Sequence, residues 1–436
     1  MEVSMSRPLV IFEDTRITRL FPLALTRPVC HLRCGSVTLR DKIRGHLMRA
    51  SKMNDSGRGW LGDGDDLDIR FHVREHVLVD EQARITSYQD LFAEHETITL
   101  INGRVAFDKG MPGIFEPAWH GTYTCGGDVV LANVTRGLAD ELDRHIGKLI
   151  PGELFEGMPS RQIEARLIAY PWDLVGFNGD EIARDFDLLG GSMVDSEPGP
   201  MVHIMGKERL RLGKGVRLGP GVVVDATAGP VIVEDAVRVM PNTSLEGPLH
   251  IGRGSIIKMG AKIYGQTTIG PVCKVGGEVA ESIIHGYSNK QHEGFVGHSY
   301  LGEWVNIGAG TDTSDMKNNY STVRVHIDGE SVDSGEQFIG LFMGDHSKSG
   351  IGTVFGTGTV VGVCCNVYGA GYPPKFIASF TWGGASGFVE HKLDKAIETA
   401  RRAMARRDED LGPHGEALLK RVFEITSAGR QAFLAG

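Results

Sequence analysis

Residues 233–280 read "VEDAVRVMPNTSLEGPLHIGRGSIIKMGAKIYGQTTIGPVCKVGGEVA". An aliphatic side chain returns at every sixth position: Val233, Val239, Leu245, Ile251, Ile257, Ile263, Ile269 and Val275. Four residues after each comes Val237, Thr243, Leu249, Ser255, Ala261, Thr267, Cys273 or Val279, small or aliphatic at a constant phase. Neither the helical period of about 3.6 nor the strand period of about 2 produces this pattern. A triangular coil does, because each six-residue side turns one aliphatic residue inward and rounds a corner on small residues. Stacked coils then pair backbone to backbone about 4.8 Å apart.

Working outward, the pattern starts at Leu212-Gly213, Leu218-Gly219 and Val224, slips by three residues at "DATAGP", and resumes at Ile339, Ile351, Thr357 and Val363. Two interruptions, near 280–292 and 312–335, are expected to project as loops. The coils are free to serve only as scaffold; function is expected in the interrupting loops, which escape the packing rule.

A chain of 436 residues exceeds one core and suggests two or three units. Its net charge of −9 provides no general basic field for nucleic acid or an anionic membrane, so anionic ligands need local sites. Six scattered cysteines suit reduced thiols better than a disulfide framework, and Cys30 with Cys34 make a poor zinc site. No apolar stretch approaches the roughly 18 residues of a membrane span, and "MEVSMSRPLVIFED" has no signal-peptide layout, so a cytoplasmic protein is expected.

Before the repeat, "PLVIFED" (8–14) and "TITLING" (97–103) read as strands, and Val37, Ile43 and Leu47 share a helical face. Residues 1–168 are therefore expected to form an α/β domain. Acids and glycines in "SKMNDSGRGWLGDGDDLD" (51–68) lack calcium-loop spacing and read as a solvated insertion. A connecting helix is expected within 169–200, on "YPWDLVGFNGDEIARDFDLL", followed by the β-helix over 201–383 and a helical tail over 384–436. In that tail Ile397, Ala400 and Met404 share a face before a "GPHG" break, as in a helical hairpin. Arg401, Arg402, Arg406 and Arg407 are expected to be a solvated face, the alternative being contact with a phosphorylated ligand.

This layout resembles the bifunctional N-acetylglucosamine-1-phosphate uridyltransferase/glucosamine-1-phosphate acetyltransferase family and its sugar nucleotidyltransferase relatives, over roughly 8–380. The resemblance implies an α/β nucleotidyltransferase-like (Rossmann-like) domain followed by a left-handed parallel β-helix with a short α-helical tail. It also implies a homotrimer with clefts between neighbours, a sugar phosphate or nucleotide sugar as ligand, and acyl-CoA (acetyl-CoA) as co-substrate. The family carries His-x-x-Tyr-Leu-Gly running into Val-Asn-Ile-Gly-Ala-Gly-Thr. Placing His292, Phe295, Val296 and Gly297 ahead of "VNIGAGT" (305–311) makes His292 the implied base and Asn306 its partner beside the acyl donor. Lys290 matches a lysine two residues before the histidine; Phe295 replaces the tyrosine and Asp315-Met316 an Asn-Tyr pair. Lys290, Phe295, Asp315, Lys317 and Lys348 are the implied acyl-CoA or acceptor contacts, while His298 and His346 are expected to be structural or ligand-lining.

The family's N-terminal Gly-x-Gly-Thr-Arg turn is matched more loosely. Thr18, Arg19, Leu20, Pro22, Leu23 and Pro28 align, Thr15 and Ile17 replace the glycines, and Val29 replaces a lysine. Glycine lets backbone N–H groups approach a triphosphate, and Glu13 and Asp14 add negative charge instead. Arg104 in "INGR" stands where the family has its Mg²⁺-binding acid; Thr18, Arg19, Arg27, Asn102 and Arg104 are the implied nucleotide or phosphate contacts. Asn178 is the one remnant of a second metal ligand.

Acyl transfer from a thioester needs a base on the nucleophile and donors for the developing oxyanion. Three readings follow: a two-site nucleotidyltransferase and acyltransferase, an acyltransferase with a nucleotide-sugar-binding domain, or a non-catalytic scaffold.

Overall fold

The structure, a computed structural model, describes residues 8–53, 67–77, 81–114 and 119–436; the side chains of 51–53 and 114 are not described. The first seven residues and most of the acid-and-glycine insertion read above lie outside the described residues. The chain divides into two units, the first comprising Met1–Thr18, Arg27–Leu32 and Val37–Ala169, the second Arg19–Thr26, Arg33–Ser36 and Tyr170–Gly436.

The first unit is a six-stranded mixed sheet. Its strands are β1 (Leu9–Phe12), β2 (Ile69–His72), β3 (Thr97–Asn102), β4 (Gly121–Cys125), β5 (Asp128–Thr135) and β6 (Ser160–Gln162), in the order β2-β1-β3-β5-β4-β6. β1 lies parallel to β2 and β3, and β5 returns antiparallel to β3 and β4. β1 is apolar throughout because both faces of the sheet are covered. Leu9 and Ile11 pack with Ile43 and Leu47 of α1 (Leu39–Met53); Val10 and Phe12 pack with Leu91 of α2 (Tyr88–Glu94) and Leu142 of α3 (Ala139–Arg144). The side chain of Ser87 caps α2 by accepting from the Asp90 amide at 3.1 Å.

The second unit is a parallel β-solenoid. Ten strands stack on face A, from Met193–Val194 to Phe376–Ile377. Face B runs from Arg217–Leu218 through Asn289–Lys290, continues across single bridges at Asn306, and resumes at Lys348–Ser349. Face C runs from His203–Met205 to Phe295–Gly297. The hexad positions are the core: Val233 lies beside Ile251 and Ile269, and Val239 beside Ile257 and Val275, all buried.

The two interruptions differ. Residues 280–292 were expected to project, yet strands Ile283–Gly286 and Asn289–Lys290 keep stacking within the solenoid. The coil is shortened there: Val275 pairs with Lys290, fifteen positions on, whereas Ile257 pairs with Val275, eighteen on. The second interruption is an insertion, since Leu301 pairs with Met343 while an antiparallel hairpin of Arg324–Ile327 and Glu330–Asp333 leaves the coil.

Helix α4 (Pro171–Leu188) begins with proline in its first turn and the Tyr170 amide donating to Asp173 at 2.9 Å. After the last coil, Gly387–Glu390 pairs antiparallel to Thr381–Gly384. Helices α5 (Leu393–Ala405), α6 (Gly412–Ile425) and α7 (Ser427–Ala435) follow, one more than a hairpin. Ile397, Ala400, Leu419 and Val422 pack on Val363, Cys364 and Phe380. Among the described residues no helix is long and apolar enough to cross a membrane, and all six cysteines are free.

Candidate functional site

Left-handed corners set the geometry of the candidate site in the solenoid. At the turn from face C to face A, Gln266, Glu281 and His298 have φ of 54°, 45° and 44°. A non-glycine residue there costs about 1–2 kcal/mol, so the surrounding coil must enforce the turn. It does so by the His298 amide donating to the Ala280 carbonyl (3.2 Å) and the Gly340 amide to the His298 carbonyl (2.9 Å). The imidazole is thereby fixed between two carboxylates, Nδ1 at 2.8 Å from Asp315 Oδ2 and Nε2 at 2.8 Å from Glu281 Oε2. It stacks on Phe338 with ring centres 5.1 Å apart.

Burial alone would lower the pKa of His298, but the hydrogen bonds and charges of Asp315 and Glu281 outweigh it and raise it from 6.5 to about 9. The ring is thus an imidazolium at neutral pH. Asp315 enters from the start of the insertion. A Cβ on Gly297 would lie 2.4 Å from the Phe295 ring and 2.5 Å from Asp315 Oδ2, so glycine is what lets these side chains close on the corner.

Of the residues implied by resemblance, Asp315 and Phe295 come together at His298. His292 lies elsewhere, exposed on the corner between faces B and C, where its carbonyl accepts from Lys290 Nζ at 2.7 Å. Asn306 belongs to face B, bridging Asn289 and Lys348, and its Oδ1 accepts from Asn289 Nδ2 at 3.3 Å. Lys290, expected to meet a ligand, occupies the aliphatic hexad slot beside Val275 and is buried. Burial pushes its ammonium from 10.5 down to about 8, against the opposing charges of Glu293, Asp312 and Glu278. Lys348 is likewise covered, its Nζ donating to the His346 carbonyl at 2.8 Å and its pKa lowered by burial. Lys317 is engaged within the insertion, donating to Ser321 Oγ at 3.3 Å and to the Thr322 carbonyl.

The sequence also offers a second placement of the family segment, at the corner from face C to face A. Tyr300-Leu301-Gly302 supplies the Tyr-Leu-Gly of the family segment, with His298 two residues before the tyrosine instead of three. Tyr300 itself is buried, its hydroxyl accepting from the Arg33 amide (2.9 Å) and lying 3.2 Å from His285 Nδ1.

In the first unit the charges at the ends of β1 and β3 turn on one another. Arg104, expected to hold phosphate, is completely buried. Its Nε and Nη2 donate to Asp14 (3.0 and 2.6 Å), Nη2 also to Asp128 (3.0 Å), and Nη1 to the Ile168 carbonyl (2.7 Å). Asn102 donates to Asp14 Oδ2 (2.8 Å) and to the Val129 carbonyl, and accepts from the Arg104 amide. Arg16 closes on Asp128 at 2.9 Å. Glu13 is buried against Arg74, whose Nε donates to Oε2 at 2.9 Å; its other oxygen accepts from the Val29 amide at 2.8 Å. Burial would raise the Glu13 pKa, but the charge and hydrogen bonds of Arg74 hold it below the usual carboxylate range. The Arg27 carbonyl accepts from Arg74, and the Thr18 hydroxyl lies 3.4 Å from the Thr15 carbonyl.

These residues do not fit Mg²⁺. The acid expected of a metal site is a guanidinium, and Asp14 and Asp128 are neutralised by it. Within the second unit, Arg19 lies 5.4 Å over the Tyr170 ring. Asn178, the other expected metal contact, is buried in α4 as a brace: Oδ1 accepts from the Gly35 amide (2.7 Å) and Thr268 Oγ1 (3.0 Å), and Nδ2 donates to the Gln266 carbonyl (2.8 Å). Among the described residues no three His, Cys, Asp or Glu converge as metal ligands.

Residues 9–192 match the family model described as sugar nucleotidyl transferase. Over 129 residues the chain is 34% identical to the bifunctional protein GlmU of Rippkaea orientalis, covering 29% of this chain and 26% of that one. Over 150 residues it is 33% identical to a bifunctional sugar-1-phosphate nucleotidylyltransferase/acetyltransferase of Sulfurisphaera tokodaii, covering 31% and 37%. The chain thus spans between a quarter and two fifths of the length of these relatives. A UDP-N-acetylglucosamine acyltransferase from Campylobacter jejuni aligns over 54% of this chain and 84% of its own, at 15% identity and a TM-score of 0.25. The chain is thus similar to sugar nucleotidyl transferases over 9–192 and, over about a third of its length, to bifunctional nucleotidyltransferase/acetyltransferases.

Proposed function

We propose that this relative of the bifunctional sugar nucleotidyltransferase/acetyltransferases transfers an acyl group from acyl-CoA to a sugar phosphate or nucleotide sugar, with His298 as the base. The single observation that supports it is the imidazole at the C–A corner with one nitrogen on a half-buried aspartate and the other on a carboxylate that solvent reaches. Asp315 fixes the tautomer and orientation through Nδ1. Glu281, whose side chain is 40% exposed, holds Nε2 in the resting site and yields it to the acceptor. With that carboxylate withdrawn the pKa of the ring falls, and its Nε2 proton passes to solvent, leaving a neutral imidazole. Nε2 then removes the proton from the acceptor's amine or hydroxyl as that group attacks the thioester carbon. When the tetrahedral intermediate collapses, the C–S bond breaks and the same proton passes from His298 to the leaving thiolate.

The sugar-1-phosphate nucleotidyltransferase reading finds less support, because the charges of the first unit neutralise one another where a metal-bound triphosphate would have to enter. The first unit is then a nucleotide-sugar-binding or structural domain. Homotrimeric association completes the reading: Tyr264, Phe338 and Tyr320 are exposed, Tyr264 on face C in line with Gly297 and Phe338 against the His298 ring. A cytoplasmic setting, where acyl-CoA and free thiols coexist, suits it.

The test is thiol release from acetyl-CoA across a panel of amino-sugar phosphates and nucleotide sugars. His298→Asn should lower kcat/KM about 10²–10⁴-fold, the usual share of a general base. His292→Ala should leave it close to the parent value. Loss confined to His292→Ala would return the base to the B–C corner; absence of thiol release with every acceptor in the panel would leave a scaffold.

A further inference from the structure

Charges on the C-terminal helices mostly come in pairs, as does Lys262 on the solenoid. Arg401 meets Glu416, Arg402 meets Glu398, Arg421 meets Glu424, and Lys262 meets Glu278. A different arrangement stands where α5 meets face B. Where α5 ends against face B, Arg407 Nη2 donates to Asn289 Oδ1 at 2.7 Å. Asn289 is the strand neighbour of Lys274, roughly 4.8 Å away across the ladder. Lys274 follows Ile256 in the same outward row, two residues before Lys258, and Arg406 adjoins Arg407. Among the described residues, the side chains of Lys258, Lys274 and Arg406 have no hydrogen-bond or ion-pair partner, and the one side-chain partner of Arg407 is a neutral amide. The acids that follow, Asp408, Glu409 and Asp410, do not compensate: Glu409 accepts from the Tyr287 hydroxyl at 3.1 Å, and none lies within ion-pair distance of the four cations.

Four uncompensated cations side by side, on a chain with a net charge of −9, repel one another at a cost to folding. Their mutual field is felt. Lys274 has its pKa lowered by burial first and then by Arg407, Lys258 and Arg406, and Arg407 is lowered by burial and by Arg406. An anion of matching charge converts the repulsion into charge-assisted hydrogen bonds, to which a guanidinium fork and two ammonium groups are suited.

We infer that Lys258, Lys274, Arg406 and Arg407 form a binding site for a diphosphate group, free or esterified to a nucleoside, on face B beneath the end of α5. The site lies on a different face from the His298 corner and is independent of the acyl-transfer reading.

Calorimetric titration of the full chain with pyrophosphate and, separately, with ADP, in low salt without divalent cations, tests it. Saturable binding is expected, weakened at least about tenfold in the Lys274→Met/Arg406→Ala double variant, since each lost charge-assisted contact is a strong one. It should be unchanged in Arg401→Ala/Arg402→Ala, which removes the same charge from paired positions on the same helix. Arg406→Ala alone, at an exposed position, should weaken binding as well and keeps the test free of any folding defect at Lys274. Equal affinity for the two probes identifies the diphosphate itself as the ligand; tighter ADP binding identifies a nucleotide. Absence of saturation with both probes, or affinities that ignore the Lys274/Arg406 pair, overturns the site.

Discussion

Two places in the molecule repeat one charge pattern, a cation between two carboxylates, with opposite consequences. In the first unit the triad is Asp14–Arg104–Asp128; in the solenoid it is Asp315–His298–Glu281. Arg104 is sealed from solvent and its guanidinium cannot give up a proton, so the triad can only hold chain segments together. His298 has 17% of its side chain exposed and one partner that solvent reaches, so its proton can be exchanged and its partner displaced. Equal charge arithmetic therefore makes a lock in one place and an exchangeable proton in the other. What decides is the pKa range of the central group and the freedom of one flanking acid.

Breaking the lock should give the largest effect. Arg104→Met leaves Asp14 without a counter-ion and Asp128 with only the half-exposed Arg16, and urea denaturation should show a loss of about 3–5 kcal/mol, the usual cost of breaking a buried ion pair by removing one partner. A loss below about 1 kcal/mol would place this triad among surface ion pairs and end the comparison. Asp315→Asn should behave conversely, with kcat/KM falling about 10²-fold or more and far less change in stability, because the aspartate orients a base at the surface. If thiol-release assays find that variant active, the aspartate does not orient the base.

Stability should also carry the signature of His298 in its pH dependence. The folded pKa, about 9, lies above the ordinary 6.5, so the folded state binds the extra proton more tightly. The resulting stabilisation is complete below about 6.5 and disappears as pH rises through about 9. Comparing parent and His298→Asn by thermal denaturation at pH 6 and pH 10 should show the difference at the lower pH only. Lys290→Met should give the smallest change, a gain of about 1 kcal/mol or less in denaturant, since a thioether fills the aliphatic slot without burying an ammonium. A loss would mean that the bond from Lys290 to the His292 carbonyl is needed to hold the B–C corner.

Much of the solenoid was legible because inward packing forces a residue type at fixed spacing: every aliphatic position from Val233 to Val275 is in the core. Legibility ended where the coil shortened. Lys290 takes the slot that follows Val275, and with an ammonium in an aliphatic place the hexad vanished from view although the backbone ladder continued. His298 stands one place from where the family spacing puts a histidine, two residues before Tyr300 and not three, so the motif read literally settles on His292. That Glu281 and His298 share a stack of left-handed corners is a backbone property that side-chain type does not announce. Nor did local sequence indicate that Arg104 would be spent on Asp14, which arrives from ninety residues away. The arginine replacing an acid was visible; its partners were not.

The central distinction, a locked cation against an exchangeable one, is tested most directly by following the His298 ring nitrogens through a pH titration by NMR, in the parent and in Glu281→Gln. A midpoint near 9 is expected in the parent, falling by more than about one unit toward 6.5 when the displaceable carboxylate is neutralised. A midpoint at or below 6.5 that does not move in Glu281→Gln would contradict it.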